Sequence, residues 1–549
     1  MVMQIKSASQ DCPITVPESK PTPVVLGKVS LFDILFTETY NKTPPGQVLY
    51  AEAGNPEINL TFEQLKHRVL VCATALKNGF NLQSGDVVGI CSQNNIMYPI
   101  LFFGSIAAGC VVAPLHLSNM LSPEELANDI ATVVPKLLIV HQWEMQHTLT
   151  ALGRSGIPEP PILLLNEPNE KINEAYANMP TVDALFFSDE PAQPYQYTNE
   201  ELANSPCCLY FTSGSTGRSK AVMISQNAIV SQLLYIAGAV RCQCNNLVFT
   251  NFSFASSFGL YLIFGICSGM TSYTLGKNES TLDGICDAIE RLKIKAVALP
   301  PGIVNHLVKS KQITSRYDLS SLQKIYFTSG FVDVSIVMLV RRVLNVHCVN
   351  LFGMTESLGI FVSNEGYTLA GSVGRLSRIA SARIVNEEGK DVPVGDIGEL
   401  RIKSPSMTIG YYKDAQATAE LFDEQGYMRT GDIFRMDDRG LFYYVSRSKD
   451  LIRQPYINIH ATEIESVINR HPNVEDCAVV GVYSEEHAFE LPRAYVSLID
   501  KGITNKTVEE IHEYVNSQLP SYKQLSGRIF VIDSFPRTGS GKIKRLELV

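Results

Sequence analysis

Apolar residues recur along the chain in two alternating patterns that predict helices and strands in turn. From about Leu60 to Leu299, stretches with apolar positions at helical spacing alternate with short runs rich in β-branched residues. The first of these helices is expected to have Thr61 as its cap and Gly79 just past its end, and "DVVGIC" and "VVAPL" are predicted as buried strands. This alternation is typical of parallel sheets joined by crossover helices.

The pattern changes in the last third of the chain. After about Leu369, strand-like runs are separated by Gly, Asp and Asn turns, which predicts a small β-subdomain. Beyond Arg447 comes an α+β pattern of roughly the hundred residues that a small domain needs. We therefore expect an α/β protein in which a large domain of two parallel α/β subdomains and a β-subdomain precedes a small mobile α+β domain. The expected boundaries are residues 1–30 for a flexible N-terminal segment, 31–446 for the large domain and 447–549 for the small one.

Length and composition narrow the class of protein. A chain of 549 residues exceeds one compact core, so two or more domains are expected. With 45% hydrophobic and 18% charged residues it is typical of globular proteins, and a net charge of −9 disfavours nucleic acid as a partner. The 12 cysteines show no spacing typical of a zinc site or a disulfide framework, so buried, reduced thiols are expected.

The chain ends and the long apolar stretches bear on location. The first 25 residues are polar and proline-rich and lack the apolar region of a signal peptide. "YPILFFGSIAAGCVVAPL" and "FGLYLIFGICSGM" contain glycine and small residues, which favours buried α/β elements over membrane spans. The C-terminus is not Ser-Lys-Leu, the peroxisomal signal. We expect a cytoplasmic protein without an integral membrane segment; a peroxisomal location stays open, and nothing in the sequence indicates the oligomeric state.

The stretch "FTSGSTGRSK", residues 211–220, combines hydroxyls, glycines and a cation. Glycines permit close backbone approach, hydroxyls donate hydrogen bonds and lysine adds a charge, so the stretch is suited to phosphate. It lacks the spacing of a Walker A motif, and an exposed Ser/Gly hairpin is the alternative. The candidate phosphate-binding residues are Thr212, Ser213, Gly214, Ser215, Thr216, Gly217 and Lys220.

Further stretches, in the right order, resemble the adenylate-forming superfamily of acyl- and aryl-CoA ligases, peptide-synthetase adenylation domains and firefly luciferase. "FTSGSTGRSK" resembles its phosphate loop and "NLFGMTES" its aromatic-Gly-x-Thr-Glu motif. "GELRIKSPSMTIGYY" and "GYMRTGDIFRMDDRGLFYYVSRSKDLI" resemble its ribose-binding and hinge region, and "FPRTGSGKIKR" its C-terminal lysine motif. The resemblance runs from about Leu31 to the end of the chain and is closest to 4-coumarate–CoA ligase and luciferase-like members.

The resemblance implies an acid–thiol ligase of the acyl-CoA synthetase type. A carboxylic acid, fatty or aryl, would attack the α-phosphate of ATP to give an acyl-adenylate and pyrophosphate, and the acyl group would then pass to CoA with release of AMP. ATP, Mg²⁺ and CoA are the implied cofactors and, with the acid, the implied small-molecule partners. Two alternatives remain: a relative that binds ATP and acid with impaired or no thiolation, and a luciferase-like monooxygenase, for which no residue gives positive support.

The resemblance also implies residue roles on the nucleotide. The phosphate-loop residues would bind the β- and γ-phosphates, with Thr216 as a candidate metal ligand beside Glu356. Thr355 would contact the α-phosphate, although Thr355 and Glu356 could instead be a helix N-cap and its first-turn acid. Asp432 would accept hydrogen bonds from the ribose hydroxyls with Arg447 beside it; a turn aspartate is the alternative.

Four further residues receive roles from the resemblance. Lys542 would reach from the C-terminal domain to the reacting carboxylate and the α-phosphate, and a solvated lysine in a Gly-Ser-Gly loop is the alternative. Lys449 would be the hinge about which the small domain turns between the two half-reactions. Asn350 and Leu351 stand in the place of the pair that precedes the aromatic-Gly-x-Thr-Glu motif, and are expected beside the nucleotide.

Several positions depart from the family pattern. Ser219 stands where the family's phosphate loop has proline, and Phe331 in "GFVDV" replaces a glycine where backbone usually approaches ligand. Ser256 occupies the place of a histidine common in luciferase and coumarate-ligase relatives. Pro455 and Tyr456 replace a Lys-Gly pair whose glycine lines the pantetheine tunnel. The residues expected for adenylation are therefore nearly complete, while the surface for thiolation is in question.

Overall fold

The helices and strands of the chain follow the alternation that the apolar pattern predicts. The computed structural model describes residues 28–118, 121–167, 170–186, 190–213, 219–239, 253–276, 281–455, 458–499, 505–525, 527, 529–537 and 542–548. The helices are α1 (Leu31–Phe36), α2 (Phe62–Phe80), α3 (Met97–Ala107), α4 (Pro123–Val133), α5 (Met145–Ser155), α6 (Asn199–Asn204), α7 (Gln226–Ala239), α8 (Ile263–Ser268), α9 (Leu282–Leu292), α10 (Pro301–Lys309), α11 (Lys311–Arg316), α12 (Val334–Leu344), α13 (Glu365–Leu369), α14 (Ala415–Leu421), α15 (Ala461–Asn469) and α16 (Asn505–Gln518). The strands are β1 (Val48–Glu52), β2 (Asn59–Thr61), β3 (Val87–Cys91), β4 (Val111–Pro114), β5 (Leu137–His141), β6 (Ile162–Leu165), β7 (Pro206–Ser213), β8 (Ser219–Ser225), β9 (Ser272–Thr274), β10 (Ala296–Leu299), β11 (Lys324–Phe327), β12 (His347–Asn350), β13 (Gly353–Met354), β14 (Leu358–Gly359), β15 (Phe361–Val362), β16 (Gly374–Leu376), β17 (Ser381–Val385), β18 (Ile397–Lys403), β19 (Met428–Met436), β20 (Leu441–Arg447), β21 (Leu451–Arg453), β22 (Asn458–His460), β23 (Val474–Ser484), β24 (Phe489–Leu498) and β25 (Phe530–Val531).

The first α/β subdomain is built on a six-stranded sheet in the order β6-β5-β3-β4-β7-β8. Its strands are parallel except β8, which returns antiparallel to β7. Alternate residues of the strands enter two apolar cores, one shared with α2 and α3 and the other with α4 and α5. Because both faces of the sheet are covered, the strands are continuously apolar, as the sequence predicts for a parallel sheet.

Three further units complete the predicted architecture. The parallel sheet β10-β11-β12 shares a core with α9, α10 and α12, and forms the second α/β subdomain. The β-subdomain is an antiparallel sheet in the order β15-β16-β20-β19-β18-β17 with its own core. The C-terminal unit packs α15 and α16 against the sheet β23-β24-β25. The short antiparallel pair of β21 and β22 contributes Ile452 and Ile459 to that last core, directly after the expected boundary at Arg447.

The cap at the start of α2 is confirmed, whereas the expected end of that helix is wrong. The Thr61 hydroxyl accepts from the backbone of Gln64, whose side chain accepts from the backbone of Thr61 in return, a complete capping box. The helix continues through Gly79 to Phe80. It ends at Asn81, which is left-handed with φ 50°, because asparagine tolerates this conformation almost as glycine does.

The cysteines and the long apolar stretches can also be compared with the structure. The free cysteines that it describes number nine, and all except Cys267 are buried. Within the described ranges, no helix combines the length and the apolar character that a membrane crossing requires.

Candidate active site

The hairpin of β7 and β8 carries the ends of the predicted phosphate loop. Thr212 lies opposite Lys220 and Ser213 opposite Ser219 across the two strands. The positions between them, Gly214, Ser215, Thr216 and Gly217, lie outside the described residues, so their phosphate contacts and the metal role of Thr216 stay predictions. The described part of the hairpin therefore places Thr212 and Lys220 side by side at the open end of the first sheet.

Tyr411 joins two residues that are far apart in the sequence. The Lys220 ammonium lies 5.0 Å from the centre of the Tyr411 ring, and the Tyr411 hydroxyl donates to Glu356 Oε1 at 3.1 Å. Burial, followed by the Glu356 charge, raises the pKa of Tyr411, so its hydroxyl stays a neutral donor. Sequence reasoning missed this residue, although it lies in the stretch "GELRIKSPSMTIGYY" that carries part of the resemblance.

Thr355 and Glu356 lie in the tight turn between β13 and β14, not at a helix N-terminus. The Thr355 and Ser257 hydroxyl oxygens are 2.9 Å apart, and the Glu356 carbonyl accepts from the Thr408 backbone at 2.7 Å. The alternative of a helix N-cap is therefore wrong for this pair. The turn holds a hydroxyl and a carboxylate next to each other, with Glu356 only 9% exposed.

Asp432 and Arg447 are opposite each other on the paired strands β19 and β20. Arg447 Nε lies 3.1 Å from Asp432 Oδ1, but the two atoms do not form a hydrogen bond. Asp432 is 1% exposed, and burial raises its pKa against the opposing charges of Arg447 and Lys542. Within the described part of the chain, Oδ1 is thus a buried acceptor without a donor, which fits the hydroxyl group of a sugar. The turn alternative for Asp432 is wrong, since it lies within a strand.

Lys542 of the C-terminal unit lies within electrostatic reach of these residues. Burial, followed by the charge of Arg447, lowers the pKa of Lys542 to about 8, while Asp432 and Glu356 oppose the shift. Lys542 is only partly exposed, so the alternative of a freely solvated lysine does not describe it here. Lys542 is therefore a cation with a lowered pKa that interacts with the carboxylates of Asp432 and Glu356.

Contacts from α10 hold the C-terminal unit in this orientation. Lys309 Nζ donates to three backbone carbonyl oxygens within residues 469–474, at 2.7, 2.9 and 2.9 Å. Asn305 donates to the Glu475 carbonyl at 2.8 Å, and His306 Nδ1 lies 2.7 Å from the Glu475 carboxylate. Three side chains of α10 therefore contact the C-terminal unit: Asn305, His306 and Lys309.

Contacts of Glu125 and Asp333 also cross between the units. Glu125 Oε1 lies 3.1 Å from the ammonium of Lys544, two residues beyond Lys542. Asp333 accepts from Ser466 and from Arg470, the latter at 3.4 Å. Lys449 lies in a short 3₁₀ turn, Ser448–Asp450, that links β20 to β21. This place between the units is where a hinge is expected, and the hinge role itself stays a prediction.

The remaining candidates lie at the carboxyl end of the second parallel sheet. Asn350 ends β12 and donates its backbone N–H to Thr368 at 2.9 Å, and the Leu351 N–H donates to the Phe327 carbonyl at 2.8 Å. Ligands of open α/β sheets bind beyond the carboxyl ends of strands, so this position is compatible with the predicted nucleotide contact.

The structure accommodates two of the departures from the family pattern. Ser256 is buried and donates its hydroxyl to the Ser253 carbonyl at 2.8 Å. Phe331 is 39% exposed, with its ring centre 6.1 Å from that of Tyr444. Pro455 is exposed, and Tyr456 lies outside the described residues, so the expected effect of this pair on thiolation stays a prediction.

The carboxylate of Glu356 is suited to a magnesium ion that phosphates also bind. Among the described residues there is no group of three or more His, Cys, Asp or Glu side chains able to hold a metal. Mg²⁺ usually keeps several waters and takes one or two protein carboxylates together with substrate phosphates. Glu356, held by Tyr411 next to the Thr355 hydroxyl, fits that requirement.

The chain is similar to known AMP-binding enzymes and CoA ligases. Residues 36–412 match the family model described as AMP-binding enzyme, and residues 463–542 match that of the AMP-binding enzyme C-terminal domain. The chain is 28% identical over 550 residues to the probable CoA ligase CCL5 of Humulus lupulus, covering 97% of this chain and 95% of the relative. It is 28% identical over 485 residues to the probable 4-coumarate–CoA ligase 3 of Dictyostelium discoideum, covering 86% of each chain.

A solved structure shares the whole architecture. The anthranilate CoA ligase AuaEII in complex with anthranoyl-AMP superimposes with a TM-score of 0.81 at 22% identity, covering 96% of this chain and 97% of that chain. At this identity the similarity establishes the fold, and the predicted arrangement of a large N-terminal and a smaller C-terminal domain is confirmed.

Proposed function

The chain belongs to the AMP-binding enzyme family, and from this membership we propose that it joins a carboxylic acid to ATP as an acyl-adenylate and then transfers the acyl group to CoA. The assignment to the adenylate-forming superfamily is confirmed, as are the class of acid–thiol ligase and the use of ATP, Mg²⁺ and CoA at the level of that class. The acid is the open part of the proposal.

One observation carries the proposal: groups from both domains meet around a single place. Asp432 and Arg447 come from the β-subdomain, Glu356 from the turn before it, and Lys542 from the C-terminal unit, and the charges of the first three act on Lys542. A perturbed lysine beside two carboxylates is typical of a functional site. Such a cluster suits a reaction in which negative charge develops on phosphoryl oxygens.

The proposed first step is an attack of the acid's carboxylate oxygen on the α-phosphorus of ATP. The new acyl–oxygen–phosphorus bond forms as the bond to the β-phosphate breaks, and pyrophosphate leaves. Asp432 accepts hydrogen bonds from the ribose hydroxyls, and the Thr355 hydroxyl and the Lys542 ammonium stabilise the developing charge. Mg²⁺, held by Glu356, would neutralise charge on the phosphates when bound.

The proposed second step passes the acyl group to CoA. The CoA thiol loses its proton to solvent and its sulfur forms a bond to the acyl carbon. The bond from the acyl carbon to the phosphate oxygen breaks, and AMP leaves. Thr355 and Asp432 would keep the adenylate in place, while Lys542 has no further role. Pro455 and Tyr456 bear on this step alone.

We propose a fatty or aryl acid as the substrate. The named relatives include a 4-coumarate–CoA ligase, and the anthranilate CoA ligase shares the fold. The apolar stretch "FSFASSFGLYLIFG" supports a hydrophobic acid. Ser256 donates its hydroxyl to the Ser253 carbonyl, so it places no ionisable side chain where the family has a histidine.

The test is acid-dependent release of pyrophosphate. The purified protein is incubated with ATP, Mg²⁺ and a panel of cinnamic, benzoic and fatty acids, with and without CoA, and hydroxylamine traps any adenylate as a hydroxamate. We expect hydroxamate with at least one acid in the absence of CoA, and a thioester when CoA is added. Reactions without acid give the background hydrolysis of ATP.

Two other outcomes would change the conclusion. No pyrophosphate release with any acid, despite measurable ATP binding, would support the relative that only binds its ligands. Hydroxamate without thioester would confine the activity to adenylation.

A further inference from the structure

Ser219, which replaces the family's proline, turns its side chain to α4. Its hydroxyl donates to Asp129 Oδ1, and Ala221, two residues on, lies in the same apolar core as Leu126 of α4. Strand geometry places the intervening Lys220 on the opposite face, where it lies over Tyr411. Anchoring Ser219 therefore fixes the rotation of β8 that directs Lys220.

Burying the carboxyl group of Asp129, which accepts from Ser219, costs folding free energy. It is fully buried, and its Oδ2 atom has no hydrogen-bond partner among the described residues. Burial raises the pKa of Asp129 to about 7, with the Ser219 hydrogen bond opposing this and the Glu125 charge adding to it. A buried carboxyl with one oxygen unpartnered costs stability, so packing alone does not explain it.

Among the residues that the structure describes, the groups around Asp129 leave it without a cation of its own. On α4 itself, Glu125 pairs with Lys544, and the Thr132 carbonyl accepts from Lys413 at 3.3 Å. After β4, His116 is buried, which lowers its pKa to about 4 and keeps it neutral. On β8, Lys220 lies on the far face. With these described groups, a proton on Asp129 is the available way to neutralise its charge.

We propose that Asp129 is a positioning residue for ATP binding: it holds Ser219, thereby aims Lys220, and takes up a proton when MgATP binds. The inference rests on the proposed function only for ATP binding, not for the acid or for CoA. The triphosphate brings negative charge to the β7–β8 hairpin, and that charge favours the neutral carboxyl of Asp129 behind it. MgATP affinity then falls as pH rises, because the bound state must hold a proton that the solution increasingly withdraws.

Calorimetric titration with MgATP at saturating Mg²⁺ tests both parts. Repeating it in buffers of different ionisation enthalpy counts the protons taken up. For the unaltered protein we expect net uptake near pH 7 and an affinity that falls roughly three- to tenfold between about pH 6 and about pH 8. Asp129→Asn keeps the acceptor for Ser219, so it should bind MgATP without this uptake and with a weaker pH dependence.

Further variants separate anchoring from titration. Asp129→Ala should weaken MgATP binding roughly tenfold at about pH 6. Ser219→Ala should weaken it roughly threefold, with the proton uptake shifted to higher pH, because the hydrogen bond that lowers the pKa of Asp129 is lost. Asn128→Ala, at an exposed position next to Asp129, is the matched control and should change neither quantity. Lys542 titrates in all variants alike, so differences between variants isolate Asp129.

Several results would overturn the inference. One is an Asp129→Asn protein that takes up as many protons on binding MgATP as the unaltered protein. Another is an equal MgATP affinity of the Asp129→Ala and Asn128→Ala proteins. If Asp129→Ala does not fold, the proton counts of the unaltered protein and Asp129→Asn decide. Normal MgATP binding without any acyl-adenylate would contradict the proposed function alone, whereas no MgATP binding would contradict both.

Discussion

Asp432 and Lys542 reach the same site in two different ways. Asp432 lies opposite Arg447 on neighbouring strands, so the pairing of one hairpin sets their distance. Lys542 comes from the other domain, and its place depends on polar contacts between the domains, chiefly those of Lys309 and Glu125. The position of Asp432 is thus set by the register of two neighbouring strands, whereas that of Lys542 depends on how the two domains are oriented.

This difference matches the demands of a two-step reaction. A nucleotide must stay bound through both steps, and a buried pair within one sheet suits that purpose. A lysine proposed to act only in the first step is better held by polar contacts between domains, because such contacts can break and re-form when one domain moves. Substitutions should therefore separate the two kinds of contact.

The largest effect is expected from Lys542→Ala. Loss of the ammonium that stabilises the developing charge should lower the adenylation rate roughly 100- to 1,000-fold. MgATP affinity should change less than about threefold, because Asp432 and the β7–β8 hairpin remain. Hydroxamate formation and MgATP titration measure the two quantities, and an unaltered adenylation rate would remove Lys542 from the mechanism.

The same lysine predicts a pH dependence. Its pKa is lowered to about 8, so the cation is present below that pH and is lost as pH rises through it. Adenylation should therefore decline above pH 8, whereas a Lys542→Arg protein with any remaining activity should keep it, since arginine stays charged. Equal profiles for the two proteins would assign the decline to another group.

The second-largest effect is expected from Asp432→Asn. Replacing the buried acceptor should weaken MgATP binding roughly 30-fold, as expected for a hydrogen bond to a charged group. Asp438→Asn, at an exposed position near the end of the same hairpin, serves as the control. If both variants bind MgATP like the unaltered protein, Asp432 does not hold the nucleotide.

A smaller, more selective effect is expected from Lys309→Met. The variant keeps the apolar stem but loses three hydrogen bonds to the C-terminal unit, so adenylation should fall roughly tenfold. MgATP affinity, and thioester formation from a supplied acyl-adenylate, should stay unchanged. Lys311→Met, two residues on and exposed, is the control. An equal loss of adenylation and of thioester formation would indicate that the variant is generally destabilised, and not that Lys309 positions Lys542 for the first step.

The smallest effect is expected from Tyr411→Phe. The ring under Lys220 remains, but Glu356 loses its hydrogen bond, so the Mg²⁺ concentration for half-maximal adenylation should rise about three- to fivefold. Tyr412→Phe removes a neighbouring hydroxyl and should leave that concentration unchanged. The opposite ranking of these two variants would contradict the role of Tyr411.

The sequence predicted the fold class and much of the candidate site because both depend on contiguous signals. Helical and strand spacing identified the parallel sheets, the β-subdomain and the C-terminal unit. Short motifs that resemble those of the family implied roles for Thr355, Glu356, Asp432, Arg447 and Lys542. The end of α2 was predicted at Gly79 instead of Asn81, because glycine and asparagine can both end a helix and lie only two positions apart here.

Only the tertiary structure decided which distant residues support those motifs. Tyr411 is 55 positions from Glu356, and Ser219 is 90 positions from Asp129. No local pattern marks such partners, because their meeting depends on how sheets and helices pack. By itself the sequence determined the kind of chemistry, through residue types that phosphate and ribose require. The packing of α4 on β8 and of α10 on the C-terminal unit decided how the lysines are held, since those contacts exist only between elements that the chain brings together.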